Sequence, residues 1–354
     1  MARMSRAGSE PYTPGASRVG RLLCGAGLVL ALLAGSARAD GDPQFFRIGT
    51  GGVDSPSLAI TGLVAAGLSN PPGTRPCARG GACGVPGMIA LAQAIGSSAE
   101  AIDLLETHQI DAIVVPAGDA VRAATAKRPE PAKGEAAKPR DSLRTVATLF
   151  VEAAHVVVRE GSRYETVDDL KKRAVAAATD DPTAVPFALL VAGQLGFESA
   201  RKLGPLSVQA GLQKLAESRV EALVIVATPP APALVELAHS QPVRLLAVPP
   251  AKAPPPYVVQ VKLPPNVYGA NEALDLPGQP AQLFVAAGAD PDRIEAVTRA
   301  LWNEATQKLL AAGPPVARTV KLEHALDGVV VPLHPGAARF YREIGILNHT
   351  PVGQ

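Results

Sequence analysis

The sequence predicts an α/β fold made of two lobes. Short apolar runs with strand character alternate with helical patterns along most of the chain, which is typical of parallel sheets covered by helices on both faces. Removal of an N-terminal targeting segment leaves roughly 315 residues, more than a single hydrophobic core usually holds. We therefore assign residues 40–154 to the first part of lobe 1, 155–264 to lobe 2, and 265–354 to the return of lobe 1 with its C-terminal helices.

The first 39 residues have the pattern of a secretory signal peptide. Arg18 and Arg21 precede the short apolar run LLCGAGLVLALLAG, and Ala37-Arg38-Ala39 supplies the small residues that a signal peptidase reads. We expect cleavage after Ala39 and a mature protein outside the cytoplasm. Lipidation is the alternative, but Cys24 stands near the start of the apolar run, whereas a lipobox would place the cysteine at its end.

Charge and composition exclude several classes of partner. The signal segment contains five arginines and one acid, so cleavage changes the net charge from +2 to −2. With aromatic residues at only 4%, the chain lacks the basic stripe and the stacking platform of a nucleic-acid-binding protein. No later segment approaches the run of about 18 apolar residues that a membrane span needs, so we expect a soluble protein. We also expect a monomer.

The stretch SNPPGTRPCARGGACGVPG, residues 69–87, holds the two cysteines that remain after cleavage, Cys77 and Cys83. An oxidising compartment favours a disulfide between them. Two free thiols are the first alternative. A metal site is a weaker one, because the loop has no histidine and two thiolates alone bind zinc poorly. We expect no cofactor and no metal ion.

Lobe 1 begins with a strand over residues 45–48, which runs into the glycine turn of FRIGTGG and then into a helix over residues 57–68. A second strand-like run, GMIALAQAIG, precedes a helix that has Ile102 and Leu105 at helical spacing. The run DAIVVPAGDA predicts a third, buried strand. Residues 123–142 are charged and poor in apolar side chains, and they predict a mobile surface excursion.

Lobe 2 continues the alternation. The run LRTVATLFVEAAHVVVRE predicts two strands, and units of helix and strand follow. Eleven prolines between Pro229 and Pro265 predict a long irregular stretch before the chain returns to lobe 1. QLFVAAGAD is then a strand, residues 291–312 are a helix capped by Asp290, and FYREIGIL is a terminal helix.

Three junctions between a strand and a helix carry small polar residues suited to a ligand. The glycine turn after the first strand directs backbone N–H groups and a positive helix end at a ligand carboxylate. A dinucleotide site is the alternative there, but the third glycine and the required acid are missing. At the second junction, IGSSAE, Ser97 or Ser98 is expected to cap a helix from Ala99, which is compatible with ligand contact.

The third junction, ATDDPTAVP, lies in lobe 2 and offers Asp180, Asp181 and Thr183 as helix caps. Two acids there repel an anion, so the junction argues against a doubly anionic ligand held from both sides, unless Thr183 alone contacts it. His155 on its apolar strand is interpreted as a core or hinge residue with its hydrogen bonds satisfied. Trp302 is interpreted as a helix core residue.

Signatures of enzymes are missing from the sequence. It contains no G-x-S-x-G elbow, no H-E-x-x-H, no Walker loop and no C-x-x-C. A nucleophile and a base cannot be paired from these residues. We therefore predict that the protein is not an enzyme.

Several motifs carry a resemblance to a known family: FRIGTGG, the cysteine loop, GSSAEAI, LFVEAAHVVVR and LEHALDGVVVPLHPGAARFYRE, in the same order along nearly all of the mature chain. With these motifs the chain resembles the TAXI family of solute-binding subunits of TRAP transporters. The resemblance implies a protein of the periplasm with a two-lobed type II periplasmic binding protein fold and a ligand cleft between the lobes. It also implies capture of a small organic acid or amino acid and delivery to a membrane permease.

The resemblance also assigns ligand positions, with marked departures. The family usually has a tyrosine pair where this chain has Ser57 and Leu58, and an asparagine near Glu100. Its second-lobe turns are replaced here by DDPTAVP and ATPP, so the pocket is altered although the framework is kept. The ligand-binding residues that we predict are Thr50, Gly51, Gly52, Ser57, Gly96, Ser97, Asp119, Thr183 and Thr228.

Two other functions stay open at this point. An extracytoplasmic sensor or interaction protein with a degenerate cleft is the first alternative. A hydrolase is the second, and it would need a nucleophile and a base that the sequence does not pair.

Overall fold

A computed structural model describes residues 42–53, 55–125, 142–240, 243–268 and 272–347. The predicted signal peptide and most of the excursion at 123–142 lie outside these residues, and residues 123–125 close a helix. Among the helices described, none is both long enough and apolar enough to span a membrane.

Strands and helices alternate as the sequence predicts, with bounds that differ by a few residues. The strands are β1 (Gln44–Thr50), β2 (Ser69–Asn70), β3 (Val85–Pro86), β4 (Met88–Ala94), β5 (Ala112–Pro116), β6 (Leu143–Arg159), β7 (Val175–Ala178), β8 (Pro205–Leu206), β9 (Ala222–Ala227), β10 (Val243–Leu246), β11 (Val259–Leu263) and β12 (Leu274–Ala286). The helices are α1 (Pro56–Leu68), α2 (Ser98–Glu106), α3 (Ala117–Thr125), α4 (Val185–Gln194), α5 (Glu198–Leu203), α6 (Val208–Ala216), α7 (Pro232–Ser240), α8 (Pro291–Leu301), α9 (Glu304–Ala312) and α10 (Pro335–Glu343).

Within the described residues, ten strands form one continuous sheet. Its lobe 1 part has the order β4-β1-β5-β12-β6, and its lobe 2 part has the order β8-β7-β9-β6-β10. Each lobe has five strands in this order. The first three are parallel to one another, the fourth is antiparallel to them, and the fifth runs in the direction of the first three. The two lobes therefore share one topology, although their sequences show no repeat.

Two long strands, β6 and β12, pass between the lobes side by side. Ala153 of β6 pairs with Gly278 of β12 on one side and with Ala227 of β9 on the other. Gly278 also pairs with Val259 of β11. The predicted boundary between residues 154 and 155 falls inside β6, and the boundaries at 154 and 264 remain our proposal for the division of the chain.

Each lobe has its own hydrophobic core. The buried cluster of lobe 2 runs from Ala153 to Leu276 along the chain. Lobe 1 has one cluster on each face of its sheet, because successive side chains of a strand point to opposite faces. Thus Leu283 packs with the cluster formed by α1, α8 and α10, whereas its neighbour Phe284 packs with α2 and α3.

Three element predictions need correction. The helix predicted over 291–312 is broken: α8 ends at Leu301, and Asn303 starts α9 by accepting a hydrogen bond of 2.8 Å from the Thr306 N–H. The two strands predicted from Leu143 are one 17-residue strand, since β6 continues through both lobes without a turn. The proline-rich stretch contains α7, β10 and β11, because its prolines cluster outside these elements or at their ends. The predicted cap of α8 by Asp290 is confirmed.

The predicted disulfide is confirmed. Cys77 and Cys83 are joined by a disulfide, with their Cα atoms 4.7 Å apart. In this oxidised protein the two cysteines are neither free thiols nor thiolate ligands of a metal ion. The loop is anchored to the rest of lobe 1 by the Asn303 side chain, whose Nδ2 donates to the Cys83 carbonyl at 2.9 Å. The bridge therefore stiffens a loop that already contacts the turn between α8 and α9.

Replacing both Cys77 and Cys83 with alanine should lower the free energy of unfolding by about 2 kcal/mol, because a ring this small restricts the unfolded chain only modestly. Guanidinium unfolding of the oxidised protein and of the double variant would measure the difference. Arg79→Ala, an exposed change inside the same ring, is the control and should leave the stability within about 0.5 kcal/mol. Equal stability of wild type and double variant would contradict the prediction.

Candidate functional site

The carboxyl ends of the parallel strands of both lobes carry the residues that the sequence singled out. Thr50 ends β1, and Gly96 and Ser97 follow β4. Asp119 stands in the first turn of α3 directly after β5. In lobe 2, Asp181 and Thr183 follow β7, and Thr228 follows β9. Ligands of open α/β sheets bind outside such strand ends, which makes this region the candidate site.

A chain of hydroxyl groups lines the turn between β1 and α1. Thr50 Oγ1 lies 3.1 Å from Ser57 Oγ and 3.3 Å from Thr61 Oγ1, and Ser57 Oγ lies 2.7 Å from Ser55 Oγ. Ser55 is the N-cap residue of α1 and accepts from the Ser57 N–H. All four side chains are buried. The structure thus brings the predicted residues Thr50 and Ser57 together, and adds Ser55 and Thr61.

This turn is joined to lobe 2 through Asp181. Ser55 Oγ donates a hydrogen bond to Asp181 Oδ2, and Asp181 Oδ1 accepts from the N–H and the hydroxyl of Thr183, at 2.9 and 2.7 Å. Asp181 is 5% exposed. Of the lobe 2 residues expected to act as caps, Asp181 does so, whereas Asp180 accepts from the Val208 N–H instead.

The two glycines of the turn differ in their surroundings. A Cβ atom on Gly51 would lie 2.7 Å from Ser57 Oγ and 3.0 Å from Asp181 Oδ2, so only glycine fits without movement of this network. A Cβ atom on Gly52 would meet nothing within 4 Å. Close backbone approach therefore requires a glycine at 51 and not at 52.

A cavity of about 460 Å³ lies between the junctions of the two lobes. Its lobe 1 wall is formed by the start of α2 and by α3, and its lobe 2 wall is formed by the chain around Thr183. The predicted residues that line it are Gly96, Ser97, Asp119 and Thr183.

Ser98 is a lining residue that sequence reasoning treated only as a possible cap. The structure assigns the cap to Ser97, whose hydroxyl accepts from the Glu100 N–H at 3.2 Å. Ser98 is 7% exposed, and its Oγ has no hydrogen-bond partner among the described residues. A buried polar atom without a partner is unusual in a folded protein, and packing among the described residues does not account for this one.

The charged residues of the cavity form an ion pair. An Arg122 guanidinium nitrogen contacts Asp119 Oδ1 one turn earlier in α3. The Asp119 side chain is 11% exposed and that of Arg122 is 51% exposed. Asp119 is therefore neutralised within lobe 1, and it holds the Arg122 head at the cavity wall.

Thr228 lies elsewhere. It lines a separate cavity of about 550 Å³ together with Pro229, Pro230 and residues of β6 and β11. The Pro229-Pro230 peptide bond is cis. The structure therefore does not bring Thr228 together with the four predicted residues around Ser97.

Two buried titratable residues, Glu152 and His155, lie on β6, one of the two strands that cross between the lobes. Glu152 and Gln279 pair across β6 and β12, and Gln279 Nε2 donates to Glu152 Oε2 at 3.2 Å. Burial, followed by the nearby charge of Asp181, raises the pKa of Glu152 to about 8. His155 is fully buried, and its Nδ1 lies 3.2 Å from the Ile225 carbonyl, which confirms its interpretation as a core residue. Burial lowers the pKa of His155 to about 4.

Two lobes of shared topology, two crossing strands and a cavity where the strand ends face each other define a type II periplasmic binding protein fold. The chain belongs to the NMT1-like family, whose model matches residues 85–345.

Solved structures with a similar fold include a substrate-binding protein of an ABC uptake transporter from Streptococcus pneumoniae with bound histidine, at 12% identity and a TM-score of 0.44, over 78% of this chain and 94% of that one. The arginine-, lysine- and histidine-binding protein ArtJ from Geobacillus stearothermophilus is similar at 11% identity and a TM-score of 0.43, over 78% and 99%. The periplasmic VFT2 domain of BvgS from Bordetella pertussis is similar at 12% and 0.40, over 75% and 91%.

Proposed function

We propose that the protein is the periplasmic solute-binding subunit of a TRAP-type transporter. It captures a small organic acid or amino acid between its lobes and delivers it to membrane permease subunits. The observation that carries this proposal is the cavity between the lobes with the unpartnered Ser98 hydroxyl in its wall. Ligand pockets of this kind are concave, with a few polar groups that orient the ligand.

The start of α2 suits a carboxylate of the solute. The first N–H groups of a helix have no partner within the helix and carry partial positive charge, so they attract anions. Ser98 is the first residue of α2, and its hydroxyl adds a side-chain donor at the same place. Thr183 faces it from lobe 2, so a bound solute contacts both lobes and favours the closed state.

Binding is tested by a thermal-shift screen of amino acids and small organic acids, followed by titration calorimetry of each solute that stabilises the protein. A solute at a hundredfold excess over its Kd should add about 2.7 kcal/mol of stability. Ser98→Ala should weaken binding of that solute about tenfold or more, since one hydrogen bond to a charged group is lost.

Ser162→Ala is the matched control. Its hydroxyl also has no partner in the described part of the chain, but Ser162 does not line the cavity, so this variant should bind like the wild type. Removal of an unpartnered hydroxyl should leave both variants at least as stable as the wild type. A screen without a single stabilising solute would contradict the proposal and favour a sensor or interaction protein with a degenerate cleft.

The transport step has its own test. Cells that lack this protein should lose uptake of the identified solute, and the wild-type gene should restore it while the Ser98→Ala gene restores it less at low solute concentration. Undiminished uptake in the deleted strain would contradict a role in transport.

A further inference from the structure

Asp181 connects the first helices of the two lobes. It caps the turn Pro182–Ala184 that leads into α4, through its hydrogen bonds with Thr183. Its other oxygen accepts from Ser55, the cap of the 13-residue helix α1 in lobe 1. A carboxylate of lobe 2 therefore lies at the positive end of a lobe 1 helix, where anions are stabilised.

The position of Asp181 changes what the glycine turn of lobe 1 can accept. A Cβ atom on Gly51 would lie 3.0 Å from Asp181 Oδ2, so the carboxylate lies directly against this turn. The sequence predicted that the turn would receive a carboxylate of the solute. A second carboxylate at the same turn would meet a like charge at short range, in surroundings that screen it weakly.

Among the described residues, the negative charge of Asp181 has no cationic partner. Asp181 forms no ion pair with the lysine and arginine side chains that the structure describes. Asp119 is paired with Arg122. The remaining buried carboxyl, Glu152, has its pKa raised to about 8 by burial and is mostly protonated at pH 7. Asp181 thus adds a buried negative charge to the lobe 2 side of the site, next to the exposed carboxylate of Asp180.

The two walls of the cavity therefore differ in charge preference. Thr183 lines the cavity and donates its hydroxyl proton to Asp181, so the charge lies one hydrogen bond behind the lobe 2 wall. On the lobe 1 wall, the Ser98 hydroxyl has no partner among the described residues and stands at the start of α2. The lobe 2 wall therefore favours a cationic group. The start of α2 favours a carboxylate at the lobe 1 wall, and the Glu100 carboxylate in the same turn disfavours a second one there.

We propose that Asp181 makes this cavity prefer solutes with one carboxylate and one ammonium group over solutes with two carboxylates. The inference rests on the proposed function and names the charge class of its solute. The carboxylate of the solute lies toward Ser98 and the start of α2, and its ammonium group lies toward Thr183 and Asp181.

The test uses pairs of probes that differ in one charged group: β-alanine against succinate, and 4-aminobutyrate against glutarate. The Kd of each probe is measured by calorimetry for the wild type, Asp181→Asn and Asp180→Asn. The wild type should bind the amino acid of a pair at least tenfold more tightly than the dicarboxylate. Asp181→Asn should reduce that ratio by about tenfold, because the local negative charge is removed while one acceptor oxygen remains for the hydrogen bonds from Thr183.

Asp180→Asn is the control, since Asp180 is exposed and bonds only within lobe 2, and its ratio should equal that of the wild type. Asparagine at 181 keeps one acceptor oxygen for Thr183, and its Nδ2 donates to the Ser55 hydroxyl once that hydroxyl has rotated. Unequal melting temperatures would reveal a folding defect from this exchange of donor and acceptor. An unchanged ratio in Asp181→Asn, or a wild type that prefers dicarboxylates, overturns the inference. A wild type that binds none of the four probes also overturns it, whereas the proposed function is decided separately, by the broad solute screen and by the uptake test.

Discussion

Replacing Glu152 with glutamine should make the protein more stable than the wild type at pH 8, with a difference that shrinks toward pH 5. Burial raises the pKa of Glu152 from 4.5 to about 8 in the folded state, so the folded protein holds a proton there that the unfolded chain releases above pH 4.5. The stability linked to this proton is fully present below pH 4.5 and is lost as the pH rises through about 8. The expected loss is on the order of a few kcal/mol.

Denaturant unfolding of wild type and Glu152→Gln at several values between pH 5 and pH 8 measures this difference. His155 contributes a dependence of its own, because its pKa is lowered to about 4 by burial, but it does so equally in both proteins. The exposed Glu160→Gln is the control and should follow the wild type at every pH. Parallel curves for wild type and Glu152→Gln would show that Glu152 is ionised in the folded protein and would refute the prediction.

Replacing Gly336 with alanine should lower the free energy of unfolding by about 2 to 3 kcal/mol, since it forces added volume into a packed contact. Gly336 lies in the first turn of α10, after the cap residue His334, and a Cβ atom there would stand 2.1 Å from the Pro291 carbonyl oxygen and 2.8 Å from the Glu295 nitrogen. Both atoms belong to the backbone of α8, so the two helices would have to move apart. The measurement is guanidinium unfolding with a secondary-structure readout.

Gly62→Ala is the matched control, and we expect it to raise the stability that Gly336→Ala lowers. Gly62 lies in the middle of α1, and a Cβ atom there would meet nothing within 4 Å. Alanine should raise the free energy of unfolding by about 0.5 to 1 kcal/mol through the lower conformational entropy of the unfolded chain and better helix propensity. A loss of stability of the same size in both variants would mean that the tight contact between α8 and α10 is not the cause.

The element types were predictable where local chemistry decides them. Asp290 and Ser97 cap helices because a short polar side chain at that place satisfies a free N–H group, and this needs no tertiary information. The predicted helix over 291–312 was wrong for a related reason. Asn303 offers a competing cap inside an otherwise helical pattern. Trp302 is the C-cap residue of α8, and its Nε1 donates to the Tyr341 hydroxyl, a contact that is distant in sequence.

The candidate site was predictable only in part. Gly96, Ser97, Asp119 and Thr183 line one cavity because strand ends of the same sheet meet at one edge, which the order of elements implies. Ser55 and Glu152 were missed because their partners, Asp181 and Gln279, are 126 and 127 residues away along the chain. The one local signal was the glutamate of FVEAAHVVV, a carboxyl within a continuous apolar strand, which burial makes costly unless it is protonated or paired.

The crossing of β6 and β12 also restricts how the lobes can move. The two strands are hydrogen-bonded to each other at the crossing, from Gly278 paired with Ala153 through Ala281 paired with Phe150. A hydrogen-bonded ribbon resists shear and stretching in its own plane, since either would break several bonds at once. We therefore expect any relative motion of the lobes to bend or twist this ribbon and to leave its hydrogen bonds intact. A pair of spectroscopic labels placed across the lobes would report such motion.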